Sequence, residues 1–98
     1  MIINDKILEL CKELAILADT TGDKSEALYN VQYNYDDIEI KFYRERLNAT
    51  IYCYYSDSSV VFSANNTYLG TRTMAILSKL LFALEKQLKK ENEKEEIL

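Results

Sequence analysis

The sequence predicts an α+β domain: a two-layer arrangement in which an antiparallel four-stranded meander carries N- and C-terminal helices packed on one face, in the order α-β-β-β-β-α. Three observations predict it. Apolar residues recur at helical spacing at both ends of the chain. Four segments between them alternate apolar and polar residues with period two. And when the first two of those segments are folded back on each other, every apolar residue meets an apolar partner on the same face.

The first helix is expected over about residues 4–19. Ile3, Ile7, Leu10, Leu14 and Leu17 form its apolar stripe, widened by Cys11 and Ala18. Asn4 is placed to cap it, with Ile3 and Leu8 as a hydrophobic staple. Asp19 to Asp23 end it, and Gly22 can take a left-handed conformation there. Strands follow at 29–35, 38–43, 49–55 and 60–64. Asp36-Asp37 is the expected first turn, which sets Tyr35 against Ile38, Tyr33 against Ile40 and Val31 against Phe42. Arg44 to Asn48 supplies the second turn and Ser56 to Ser59 the third. In the third hairpin Tyr55 pairs with Val60 or with Ser58; both options keep Ile51, Cys53 and Phe62 on one face.

The last helix is expected over about residues 72–93. Met74, Ile76, Leu77, Leu80, Leu81, Phe82, Leu84 and Leu88 span an arc too wide for one neighbour, so two covers are expected. One is the sheet; the other is the first helix or a second copy of the chain, meeting Ile76, Leu80, Leu81, Phe82 and Leu84. From Glu85 onward the sequence is rich in Lys and Glu with i,i+4 pairs such as Glu85–Lys89. Residues 91–98 are read as a charged, fraying end of one domain spanning 1–98.

Composition excludes more than it identifies. The 98 residues contain no histidine, tryptophan or proline, and only two glycines. That removes histidine-based triads and metal sites, and leaves no glycine-rich phosphate cradle. No catalytic, cofactor-binding or metal-ligating residue is assigned, and no cofactor is expected. The net charge is −4, and it is uneven: residues 1–45 hold ten acids and five bases, residues 46–98 six and seven. No clustered Lys and Arg suit a phosphate backbone, so direct nucleic-acid binding is not expected. Cys11 and Cys53 fall within apolar patterns and read as buried, reduced thiols. The first residues have no basic segment followed by an apolar core, and the longest apolar run, Leu80 to Leu84, is too short for a bilayer. A cytoplasmic, non-membrane protein is the expectation. Ile, Asn, Tyr and Lys total 33 residues against 12 for Gly, Ala, Arg and Pro, a bias typical of AT-rich microbial or viral genomes.

The side of the sheet turned from the helices is then expected to carry Glu39, Lys41, Tyr43, Thr50, Tyr52, Tyr54, Val61 and Ser63. Tyrosine favours strands for its own sake. Three tyrosines and a valine nevertheless exceed what a solvated face requires, and tyrosine couples a large apolar body to a hydroxyl, which suits contact surfaces. Tyr43, Tyr52, Tyr54 and Val61, with Asp36, Asp37 and Glu39 at the neighbouring turn, form the expected partner-binding set. Its expected partner is a larger basic protein or nucleoprotein complex. The paired carboxylates can also be read as a metal or acid–base site of a small enzyme using Asp and Glu. A third reading is a structural or chaperone-like homodimer joined through the last helix.

The element order from about residue 4 to residue 90 resembles the double-stranded-RNA-binding domain, which runs α-β-β-β-α. That family binds through a basic run, typically Lys-Lys-x-x-Lys, at the start of its last helix. The matching stretch here, Thr71-Arg72-Thr73-Met74-Ala75, has one positive charge and one strand is extra, so RNA binding is not carried over. In size, acidity and codon bias the chain also resembles the small inhibitors that viruses make against host defence, including anti-CRISPR proteins. Several of those cover a nuclease's nucleic-acid channel with acidic surface. No motif defines that group, so it implies no residue roles.

Overall fold

The computed structural model describes residues 1–18 and 29–97. Its elements are α1 (Asp5–Leu17), β1 (Tyr29–Tyr33), β2 (Asp37–Tyr43), β3 (Leu47–Tyr54), β4 (Val60–Thr67) and α2 (Thr71–Ile97). The strands form one antiparallel sheet in the order β1-β2-β3-β4, so the predicted α-β-β-β-β-α meander is the observed architecture.

Asn4 caps α1 as its sequence position predicts: its side-chain oxygen accepts from the Ile7 amide at 3.0 Å. The helix stops at Leu17, with Ala18 as its C-cap. The expected terminating residues Asp19 to Asp23, Gly22 among them, lie outside the described residues.

The first turn differs from expectation by two residues. Tyr33 pairs with Ile38, Val31 with Ile40 and Tyr29 with Phe42. The Asn34 amide donates to the Asp37 carbonyl at 2.9 Å, leaving Tyr35-Asp36, not Asp36-Asp37, at the tip. Two contacts favour this register. It sets the Tyr29 ring 6.3 Å from that of Phe42, where the expected register would oppose Tyr29 to Arg44. It also lets the Asn34 side chain reach the Asp37 carboxylate at 2.8 Å. A shift of two leaves every side chain on its predicted face.

The second turn narrows to Glu45-Arg46, closed by reciprocal hydrogen bonds between Arg44 and Leu47. In the third hairpin the Tyr54 amide donates to Ser59 at 2.9 Å, in line with pairing Tyr55 against Ser58. Ser58 has φ 57°, the left-handed residue that follows the turn in a short hairpin loop. It is buried, and Asn92 of α2 donates to both the Ser58 hydroxyl and the Tyr55 carbonyl. β4 continues to Thr67, past the predicted end, through a bulge in which Asn65 is the extra residue.

The core lies between sheet and helices. Ile38, Ile40, Phe42, Leu47, Ala49, Ile51 and Cys53 are buried from the sheet, against Ile7, Cys11, Leu14 and Ala15 of α1 and Ile76, Leu77, Leu80, Leu84 and Leu88 of α2. α1 packs along α2 and meets β1, while α2 lies over β3 and β4. Of the two second covers expected for the last helix, α1 is the one found within the chain. Ile76, Leu80 and Leu84 are buried in the chain's own core, because α1 supplies the second cover that the wide arc requires. Leu81 is half-buried, and only Phe82 of that set is exposed, at 69%. Among the described residues, no helix is long and apolar enough to cross a membrane.

Candidate functional site: the open face of the sheet

Strand alternation places the even-numbered residues of β2 and the odd-numbered residues of β3 under the helices, so their neighbours line the opposite face. The strand registers order that face into rows. One row runs Asn34, Asp37, Tyr54, Ser59; the next runs Gln32, Glu39, Tyr52, Val61; the third runs Asn30, Lys41, Thr50, Ser63. Tyr43 sits at the far end, opposite Asn48.

The expected set is therefore divided. Tyr52, Tyr54, Val61, Asp37 and Glu39 are brought together in two adjacent rows. Asp36 is at the turn tip beside them. Tyr43, 58% exposed, is separated from the other two tyrosines by the Lys41–Thr50 row. No tyrosine of the set lies beneath a helix.

The Tyr52 and Tyr54 rings stack nearly parallel, with centroids 6.2 Å apart and planes inclined by 12°. This is an offset aromatic pair at about the spacing of alternate residues on one strand. Beside them one amide group holds two carboxylates: the Asn34 Nδ2 donates to Asp37 at 2.8 Å and to Glu39 at 2.8 Å. The Asn34 carbonyl oxygen in turn accepts from Gln32 at 2.9 Å. The negative charge is thus held in place along β2.

Where the face meets the end of the sheet there is an open cleft of about 850 Å³. Tyr35, Asp36, Tyr54, Tyr55, Glu91 and Asn92 help to line it. Tyr54 borders both the cleft and the open face. Tyr35 projects from the turn tip and is 96% exposed. Burial, followed by the negative field of Asp37, raises the Tyr55 hydroxyl above its ordinary pKa. The cleft walls are therefore aromatic and acidic.

Sequence reasoning missed three residues here. Tyr35 reaches the tip only because the register is shifted. Asn34 looks like ordinary turn chemistry until both its carboxylate partners are seen. Asn92 lies in the expected fraying end, and no local pattern signals its contact with the β3–β4 loop.

Among the described residues, no group of three or more Cys, Asp and Glu is placed to hold a metal ion. Asp19, Asp23 and Glu26, three of the ten acids in residues 1–45, lie outside the described residues. No family model, curated protein or solved structure matches this chain.

Proposed function

We propose that this protein is a non-catalytic binding module that docks on a larger, basic protein through the open face and the adjoining cleft. The observation that carries this reading is the stacked Tyr52–Tyr54 pair set beside two carboxylates that a single amide holds in position. Tyrosine has few side-chain rotors to freeze on contact, and arginine and lysine bind both aromatic faces and carboxylates. A cleft with tyrosine and acid walls accepts the same side chains. The most specific form of the reading is a viral inhibitor of a host nucleic-acid-directed defence complex, of the anti-CRISPR type. Its acidic face would occupy a channel built for phosphates.

The test is the double substitution Tyr52→Ala, Tyr54→Ala, measured against a purified basic partner recovered from the host. Loss of two central aromatic contacts is expected to cost about 2 kcal/mol or more, a weakening of roughly thirtyfold. Melting should change little, because neither ring is part of the core. Unchanged affinity would sink the reading. So would unfolding of the variant, since that would make the rings part of what holds the sheet together.

A further inference from the structure

β4 is an edge strand of the sheet and carries no charged residue. The 14 residues from Ser58 to Thr71 carry no charge, the longest such stretch in a chain of net charge −4. Edge strands are normally blunted by lysine, proline or a bulge. β4 has neither lysine nor proline, and its bulge at Asn65 leaves Val60–Ala64 regular.

The hydrogen-bond phase of that stretch follows from one contact. The Tyr54 amide donates to the Ser59 carbonyl, so Ser59, Val61 and Ser63 turn their backbone groups toward β3. Val60, Phe62 and Ala64 therefore turn theirs outward. Among the described residues, no backbone hydrogen bond outside the ladder reaches these three. Their donors and acceptors are symmetric about Phe62, the midpoint of the regular stretch.

We infer that β4 pairs antiparallel with β4 of a second copy of this chain about a two-fold axis at Phe62, giving a continuous eight-stranded sheet. Phe62 then opposes Phe62, and Val60 opposes Ala64, with every outward backbone group of the three residues satisfied. On the open face Val61 meets Ser63. Above the junction lies the flank of α2 turned from α1. Arg72 borders a groove with α1 residues and Gln87 bonds the segment leading into α1, so Met74 and Leu81 fall on the opposite flank. Met74 is exposed and Leu81 and Phe62 are half-buried, which gives the junction an apolar roof.

A second copy fits this edge better than a basic partner does. The edge offers no carboxylate to a cation, and two acidic copies approach here along their uncharged sides. An isologous junction uses each β4 once, so assembly stops at two chains. The pairing leaves Tyr52 and Tyr54 free and doubles the open face.

Sedimentation across a dilution series, with amide exchange on the unmodified chain, tests the inference. The expected result is two chains at high concentration and one on dilution, with the Val60, Phe62 and Ala64 amides protected only in the dimer. Ala64→Pro removes an outward donor without breaking the β3 ladder, and should give a folded monomer at all concentrations. The Tyr52→Ala, Tyr54→Ala variant should dimerise as the parent does, which separates this inference from the binding reading above. A parent chain that stays monomeric overturns it. A dimer in which those three amides exchange freely, or one that persists in folded Ala64→Pro, overturns it too and assigns the contact to another face. Should Ala64→Pro not fold, the exchange measurement on the parent decides the matter alone.

Discussion

Cys11 on α1 and Cys53 on β3 have no exposed surface, and burial pushes each thiol from 9.0 up to about 12. The Cys53 thiol adds to the effect on Cys11, so the two groups sense each other across the helix–sheet interface. At neutral pH both are protonated, and a protonated, buried thiol is a poor nucleophile. A maleimide is therefore expected to leave native protein unlabelled and to modify both cysteines once denaturant opens the core. The same shift has a consequence at high pH. Between 9.0 and about 12 the unfolded chain gives up thiol protons that the folded chain retains. The stabilisation is complete below 9.0 and is lost as the pH climbs toward 12. Denaturant titrations at rising pH should show stability falling through this window, and Cys53→Ala should flatten the fall. A Cys53→Ala chain with the parent's alkaline slope would show that other groups, the tyrosines foremost, control it.

At the scale of elements, the β3–β4 hairpin shows how a distant helix completes a local structure. Ser58 occupies a left-handed conformation that costs a non-glycine residue roughly 1 kcal/mol or more. Asn92 bonds its hydroxyl and the Tyr55 carbonyl, and Asp57 accepts from the Ser59 amide at 3.1 Å and hydroxyl at 2.6 Å. Those two bonds hold the Asp57 carboxyl below its ordinary range. Asn92→Ala should cost about 1–2 kcal/mol and lower Tm by roughly 5–10 °C. Lys89→Ala, which breaks the exposed Lys89–Glu85 pair on the same helix, should cost no more than about 0.5 kcal/mol. Equal effects would remove Asn92 from the account of the loop. These elements also show what a sequence makes legible. Period-two alternation assigns Ile38, Ile40 and Phe42 to the buried face whatever the turn does, because a slip of two preserves parity. It cannot choose between registers two residues apart. That choice rests on the Tyr29–Phe42 contact and on the Asn34 side chain, which depend on coordinates rather than pattern. The face carrying Tyr52 and Tyr54 was thus readable, while the turn that brings Tyr35 to the cleft was not. Asn92 was unreadable for a further reason: its partners are more than thirty residues away in sequence.

For the whole molecule, one core joins both layers, and the open face depends on it without contributing to it. Leu80, Leu84 and Leu88 of α2 reach the same cluster as Ile40 and Ile51 of the sheet and Leu14 of α1. The Gln87 side chain ties the two ends of the chain together, donating to the Ile2 carbonyl at 2.8 Å and accepting from the Asn4 amide at 3.3 Å. A sheet with one face bare has no second core to fall back on, so helices and sheet should be lost together. Leu84, fully buried, is the position to probe. Leu84→Ala removes apolar contact and leaves a cavity that neighbours only partly fill, at a cost of about 2–5 kcal/mol. A domain of this size has roughly 5–15 kcal/mol in all, so the variant should be close to its unfolding threshold. The measurement is equilibrium denaturation followed by far-ultraviolet circular dichroism and by near-ultraviolet tyrosine signal. In the parent and in Leu84→Ala the two signals should vanish in one coincident transition, at lower denaturant in the variant. Tyr52→Ala, Tyr54→Ala should keep the parent's midpoint while losing part of the near-ultraviolet signal. Tyrosine signal outlasting the helical signal would mean that the sheet holds its form without the helices above it, and the dependence of the open face on a single core would be wrong.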